Sequence, residues 1–244
     1  MNVSELLTAT AERLGEPPND PIFYSPKEMI TALNMAQRLF CLLTLSIERT
    51  ANFGLTANTT FYTVSSDSDF TDFMVPLRVT YSGARVRPIT IHQLDMLDNT
   101  WRSTVGSPEK YAQMGFNLLA VYKQTASSGQ VLAITYAATP ATLYEDWPAQ
   151  EPEIDAAHHP ALVEFARVWL RCKEGGQEMV NELPSIGKFL GACQKEADQV
   201  RSRSRGQQYD RVPFDLASFD QSRIMKMTLP KQRSPFAAQK QEAP

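Results

Sequence analysis

The sequence predicts an α+β protein: a bundle of about four helices with an inserted small antiparallel β unit and an extended C-terminal arm. Three observations support this class. A long apolar stripe with helical spacing lies near the N-terminus, two hairpin patterns occupy the middle of the chain, and no apolar period continues after Arg205. The predicted organisation is therefore N-terminal bundle helices in 1–54, a β-rich insertion in 55–147, C-terminal bundle helices in 148–205 and the arm in 206–244.

The size and composition favour a folded protein. The chain has 244 residues, of which 43% are hydrophobic and 21% charged, with a formal net charge of −3. A chain of this length buries enough surface to fold without disulfides or metals. No apolar run reaches the ~18 residues of a membrane helix. The N-terminal residues also lack the basic and apolar regions of a signal peptide, so we expect a soluble protein that is not exported.

The three cysteines, Cys41, Cys172 and Cys193, are an odd number, and they are widely spaced in apolar surroundings. This pattern predicts reduced, buried thiols rather than a disulfide framework. No pair of cysteines has the close spacing of a metal site.

Two helices are predicted before residue 54. Residues 3–14 are amphipathic and end at Gly15. Ser25-Pro26-Lys27-Glu28 then forms a capping box with proline at the first helical position. The apolar stripe behind it predicts one central core helix of about six turns; its members are Met29, Leu33, Ala36, Phe40, Leu43 and Ile47.

The middle of the chain favours strands. Segments 75–81 and 84–89 flank Ser82-Gly83, and segments 117–123 and 130–137 flank a turn at 125–129. Both pairs have the β-branched and aromatic residues and the turn glycine of a β-hairpin. A short helix is predicted to begin after Thr90, between the two hairpins.

Helical periodicity returns after a proline-rich linker at 147–160. Residues 161–173 and 177–203 each carry an apolar face, and Pro184 either kinks the second helix or marks its start. Residues 206–244 show no hydrophobic periodicity, but they carry isolated apolar side chains. Such a segment suits an arm that becomes ordered on a partner.

Charge divides the chain unevenly. Residues 201–244 hold nine basic and four acidic residues, a net charge of +5, whereas the remainder carries −8. For the stretch Arg201-Ser202-Arg203-Ser204-Arg205, docking on an acidic protein surface ranks first and a solvated helix end second. Binding to nucleic acid phosphates ranks third, because the acidic body would repel a polyanion.

No motif indicates catalysis or a cofactor. The chain lacks the signatures of nucleophilic hydrolases and of phosphate-binding loops. His158 and His159 lie near Glu153, Asp155 and Glu164, which makes a metal site conceivable. Adjacent histidines point to different faces, however, so a structural role is favoured and no metal, cofactor or enzymatic activity is predicted.

The order of several short segments resembles the head-to-tail connector, or adaptor, proteins of tailed bacteriophages. Together they cover most of residues 20–205. The matching segments are Tyr24-Ser25-Pro26-Lys27-Glu28, Leu33-Asn34-Met35-Ala36-Gln37-Arg38, Leu94-Asp95-Met96-Leu97-Asp98, Trp101-Arg102, Tyr111, Gly115-Phe116-Asn117, Tyr136-Ala137-Ala138-Thr139-Pro140 and Leu170-Arg171-Cys172-Lys173-Glu174-Gly175-Gly176-Gln177-Glu178.

The resemblance implies a structural role in the virion. Such adaptors form a ring, typically dodecameric, beneath the portal protein, extend the DNA channel and provide a platform for the tail tube or nozzle. Genomic DNA passes through without sequence-specific binding, and no membrane is involved. The protein is then expected in the neck or tail of the virion, and in the host cytoplasm during assembly.

The resemblance also implies that the C-terminal arm docks on the portal. The residues expected to make that contact are Arg201, Arg203, Arg205, Tyr209, Phe214, Phe219, Ile224, Met225 and Leu229. Two alternatives stay open. One is another tail component, such as a tail tube or minor tail protein, and the other is a DNA-binding accessory protein that uses residues 201–205.

Overall fold

The computed structural model describes residues 1–215 except 19, 116, 174 and 175, and within the last helix it describes only the backbone of 176–181, 183 and 184. The helices in this part are α1 (Val3–Leu14), α2 (Pro26–Thr44), α3 (Ile91–Leu97), α4 (His159–Cys172) and α5 (Gly176–Gln207). The strands are β1 (Glu48–Leu55), β2 (Phe61–Thr63), β3 (Phe73–Tyr81), β4 (Ala84–Pro88), β5 (Lys110–Met114), β6 (Leu118–Tyr122) and β7 (Gln130–Ala138). Short 3₁₀ turns lie at Val64–Ser66, Ser68–Phe70 and Ala156–His158.

The start of α2 confirms the predicted capping box. The backbone N–H of Glu28 donates to the Ser25 side chain, and the Glu28 carboxylate accepts from the Ser25 backbone, with Pro26 at the first position. The end of the helix differs from the expectation, because α2 stops at Thr44 rather than continuing to Ile47. Leu45 adopts a left-handed conformation with φ of 52° and caps the helix through Cys41.

The helices pack around a shared apolar core. Helix α4 contacts α1, α2 and α5, and α2 also contacts α5. The fully buried ring of Phe40 on α2 faces Phe189 on α5 with a centroid distance of 6.2 Å. It also lies 5.0 Å from the ring of His158, the residue before α4. Phe40 therefore joins three helical segments. None of the described helices combines the length and apolar character that a bilayer crossing requires.

Seven strands form one curled, half-barrel sheet in the order β1-β7-β3-β4-β5-β6-β2. Neighbouring strands run antiparallel except β4 and β5, which are parallel, so the sheet is mixed. Its concave core contains the buried side chains Phe53, Tyr62, Phe70, Val79, Tyr111, Leu132, Ile134 and Tyr136, among others.

The predicted fold class is wrong. The described chain has five α-helices and a seven-stranded mixed sheet rather than about four helices with a small antiparallel unit. The sequence pattern does not predict β1, whose eight residues include only two buried apolar side chains, Phe53 and Leu55. Pairing with β7 along its whole length holds this strand in place, and such tertiary pairing overrides a weak local pattern.

One predicted hairpin is confirmed and the other is wrong. Strands β3 and β4 pair across Ser82-Gly83, whose φ angles of 48° and 79° are those of a tight two-residue turn. Strands β6 and β7 also exist, but they do not pair with each other. Strand β6 pairs with β5 and β2, whereas both sides of β7 are taken by β1 and β3. Pro184 lies within α5 and does not mark its start.

The cysteines differ in accessibility. The structure leaves all three as free thiols, with Cys41 and Cys193 buried and Cys172 partly exposed. Burial raises the pKa of both buried thiols to about 12, and it also raises the pKa of Cys172.

We expect iodoacetamide at neutral pH to alkylate Cys172 first, because the reactive thiolate forms least readily where the thiol is buried. Peptide mass spectrometry over time measures the three rates. In denaturant the three thiols should react alike, which provides the control. Modification of Cys41 or Cys193 as fast as Cys172 in the folded protein would contradict this burial pattern.

Candidate docking surface at the root of the C-terminal arm

Helix α5 ends in a turn that directs the following chain back onto the sheet. Gln208 adopts a left-handed conformation with φ of 55°, and the Tyr209 N–H donates to the Ser204 carbonyl at 3.2 Å. A left-handed residue followed by this bond is a common helix terminator, and here it forms without glycine. We call residues 208–214, which follow this turn, the arm root.

Tyr209 fixes the beginning of the arm root. Its hydroxyl donates to the Glu48 carboxylate at 2.6 Å, and its ring packs against the buried cluster of Leu45, Leu77 and Ala137. Burial, together with the negative charge of Glu48, raises the pKa of Tyr209 to about 12. The phenol therefore stays protonated and acts as a hydrogen-bond donor at physiological pH.

Asp210 is the most buried charge of the arm root. Its side chain is only 1% exposed, and it forms an ion pair with Arg85 of β4. The Tyr111 hydroxyl of β5 donates to the same carboxylate at 3.1 Å, and the Asp210 N–H donates to the Leu77 carbonyl at 2.6 Å. Burial, followed by the charge of Asp210, raises the pKa of Tyr111 well above its usual range, which keeps that donor protonated.

The remainder of the arm root lies along α5. The Arg201 guanidinium donates to the carbonyls of Pro213 and Phe214 and also pairs with Asp198 at 2.7 Å. Pro213 is buried, whereas the Phe214 side chain is 57% exposed. The arm root is thus tied to α5 and to the sheet, and it presents an exposed aromatic ring where the described chain ends.

The predicted docking residues therefore occupy different positions. Tyr209 and Arg201 are used to hold the arm root, and Arg203 pairs with Glu196 at 3.2 Å. Arg205 is exposed and forms no ion pair with any described residue, and Phe214 is also exposed. The predicted residues Phe219, Ile224, Met225 and Leu229 lie outside the described part of the chain.

The two adjacent histidines have separate partners. The His158 ring approaches Glu196 at 3.1 Å, and the His159 Nε2 atom lies 2.9 Å from the Ile154 carbonyl oxygen. Burial lowers the pKa of His159, which favours its neutral form. The residues described here contain no group of three or more side chains placed to hold a metal ion.

The sequence does not predict the contacts by which Asp210 holds the arm root. Its partners Arg85 and Tyr111 lie 125 and 99 positions away along the chain. No local signal marks an aspartate whose importance depends on side chains from two distant strands. The charge asymmetry directs attention to this end of the chain, but it does not indicate the residue that anchors it.

Among curated protein sequences, none is significantly similar to this chain. A family model described as "SU10 adaptor protein" matches residues 1–213, which include every helix and strand described above and nearly all of the arm root. This match extends over most of the chain and agrees with the resemblance seen in the sequence. The chain therefore belongs to the SU10 adaptor protein family, a family of bacteriophage head-to-tail adaptors.

Proposed function

We propose that this protein forms a ring beneath the portal of a tailed phage, extends the DNA channel and carries the platform for the tail tube or nozzle. Membership of a family of phage head-to-tail adaptors supports the proposal. The ring is expected to be dodecameric. Assembly takes place in the host cytoplasm, and the finished ring belongs to the neck of the virion.

The arm root is the observation that supports portal docking. It fixes where the C-terminal arm leaves the body, through Tyr209, Asp210 and the Arg201 contacts, and it leaves Phe214 exposed. The 29 residues that follow Asp215 carry five basic and two acidic residues together with spaced apolar side chains. We propose that this segment, with Arg205 and Phe214, docks in grooves of the portal.

A fixed root combined with a docking arm suits ordered assembly. An arm that becomes ordered only on the portal gives up part of its interaction free energy to that ordering, which weakens each single contact. When one modest contact is repeated around a ring, each contact raises the effective concentration for the next, so the total affinity rises. The acidic body, with a net charge of −8 outside residues 201–244, lets DNA slide through the channel without adhering.

The test is co-sedimentation with purified portal rings of the same phage. We compare the full chain with a truncation after Asp215, which keeps the arm root, and with a variant in which residues 216–244 are scrambled. We expect the full chain to sediment with the portal and both variants to remain free, with unchanged thermal unfolding. A truncated chain that binds as well as the full chain would rule out docking by the arm.

The alternatives predict other outcomes. If neither the full chain nor the truncation binds the portal, the role as a portal-bound adaptor is wrong and a tail component becomes the better interpretation. A DNA-binding accessory protein would bind duplex DNA with an affinity that falls steeply with salt. The engagement of Arg201 and Arg203 with the body leaves only Arg205 of the three arginines without an ion pair to a described residue, which weakens that alternative.

A further inference from the structure

A loop between β7 and α4 presents two aromatic side chains to solvent. In residues 144–151, which we call the aromatic–acidic loop, Tyr144 is 54% and Trp147 60% exposed. Glu145, Asp146 and Glu151 are exposed beside them. These three carboxylates form no ion pair with any residue that the structure describes. The loop is therefore an apolar tip surrounded by uncompensated negative charge.

Hydrogen bonds hold this loop in one conformation. The Gln150 side chain accepts from the Tyr144 N–H at 3.1 Å and donates to the Thr142 carbonyl at 2.9 Å. The carbonyls of Gln150 and Pro148 accept from the N–H groups of Val3 and Ser4 in the first turn of α1, at 2.8 and 3.2 Å.

The α2 residue Asn34 extends this support. It both accepts from and donates to the Leu143 backbone, at 2.8 and 2.9 Å. Trp147 is thus displayed on a preorganised support. Rigid exposed aromatic residues are the side chains that dominate protein interfaces, because their burial costs little conformational entropy.

A groove of opposite character lies at the β3–β4 turn and the start of β5. It has a volume of about 690 Å³ and is lined by Tyr81, Ser82, Ala84, Arg85, Arg87, Ser107, Pro108, Glu109 and Lys110. The groove is open to solvent, so an exposed side chain of another chain can reach its lining. We call it the basic groove.

The free charges of the basic groove are positive. Arg85 is paired with Asp210, and Glu109 with Lys123. Arg87 and Lys110 form no ion pair with a described residue, and Arg87 is exposed. The basic groove therefore offers two uncompensated cations next to the apolar surface of Tyr81, Ala84 and Pro108.

The two features lie at opposite ends of the sheet. Along the β3–β7 pairing, Tyr81 is opposite Leu132 and Phe73 is opposite Ala138. The basic groove adjoins the Leu132 end, whereas the aromatic–acidic loop follows the Ala138 end. At ~3.3 Å per residue these ends are roughly 20 Å apart. A loop held as described cannot enter the groove of its own chain.

We propose that the aromatic–acidic loop of one copy docks in the basic groove of the next copy. Trp147 enters the groove, and the carboxylates of Glu145 and Asp146 face Arg87 and Lys110. The inference rests on the proposed ring, for which it names the interface. A second copy is the occupant because this one chain supplies both complementary charges. Two different patches in contact make a head-to-tail interface, which is the type that closes into rings.

The test uses two full-length variants studied by sedimentation velocity. The loop variant carries Trp147→Ala and Asp146→Lys, and the groove variant carries Arg87→Glu and Lys110→Glu. We expect the wild type to form oligomers and each variant to associate roughly tenfold or more weakly. An equimolar mixture of the two variants should form dimers and nothing larger, because only one intact interface remains per pair.

Matched controls change exposed residues elsewhere. Met96→Ala with Asp20→Lys reproduces the change in the loop, and Arg38→Glu with Lys27→Glu reproduces the change in the groove. Both controls should assemble like the wild type, and thermal unfolding confirms that each variant is folded.

Three results would overturn the proposed interface. They are a wild type that stays monomeric up to millimolar concentration, variants that assemble like the wild type, and a variant mixture that stays monomeric. If the loop variant still assembles, Trp147 does not contribute to the interface between copies. Its partner would then be a different molecule, such as a basic tail-side protein. Portal binding is measured separately. A chain that forms rings through this interface but ignores the portal contradicts the proposed docking function and not the interface.

Discussion

Replacing Phe40 with alanine is expected to lower the free energy of unfolding by about 3–5 kcal/mol, the cost of removing a large aromatic side chain from a core. The Phe40 side chain is fully buried near the C-terminal end of α2. It contacts Phe189 of α5 and the ring of His158 next to α4, so the cavity would open where three segments meet.

Leu42 provides the matched control. It lies two positions further along α2 and is 47% exposed, so Leu42→Ala is expected to cost less than about 1 kcal/mol. Urea unfolding with linear extrapolation measures both changes, and the dependence of stability on denaturant should stay the same. Equal losses for Phe40→Ala and Leu42→Ala would contradict the assignment of the buried face of α2.

The sequence predicted α2 well because its signals are local. The capping box specifies where the helix begins, and steps of three and four residues specify which face is buried. The end of the helix could not be predicted in this way. The apolar stripe continues to Ile47, but Leu45 turns left-handed without the glycine that usually marks such a position.

The sheet was underestimated because its pairing is not local. Strand β1 is eight residues long, with few apolar positions, and it is a strand because β7 pairs with it more than 70 positions away. The same pairing explains the hairpin that does not form. Since β1 and β3 occupy both sides of β7, no side remains for β6, although a glycine-containing turn separates β6 and β7 in sequence.

For the candidate docking region, the sequence supplies the charge but not the contacts. The positive charge after residue 200 is a property of composition, so the sequence alone could assign an interaction role to this end of the chain. Which of these residues remain available to contact a partner depends on three-dimensional contacts within the chain. Tyr209 reaches Glu48 and Asp210 reaches Arg85, and no periodicity or motif in the sequence reports those pairs.

Replacing Arg85 with methionine is expected to cost about 3 kcal/mol, near the lower limit for breaking a buried ion pair. The two partners are not equivalent. Asp210 is 1% exposed and would be left as a buried carboxylate without its cation, with only the Tyr111 hydroxyl and its own neighbours in contact. Arg85 is 35% exposed, so after Asp210→Asn the guanidinium can turn to water and the loss should be smaller.

Arg87→Met is the control, because Arg87 lies on the same face of β4, is exposed and forms no ion pair with a described residue. It is expected to change stability by no more than about 0.5 kcal/mol. Urea unfolding gives the three free energies, and trypsin cleavage after Arg211 reports release of the arm root directly. If Arg85→Met and Asp210→Asn destabilise equally, or if neither accelerates cleavage at Arg211, then the buried pair does not anchor the arm. If Arg85→Met is the more destabilising change, the charge of Arg85 on β4 fixes the position at which the arm leaves the body. The arm is proposed to reach the portal from that position, although β4 lies far from α5 in the sequence.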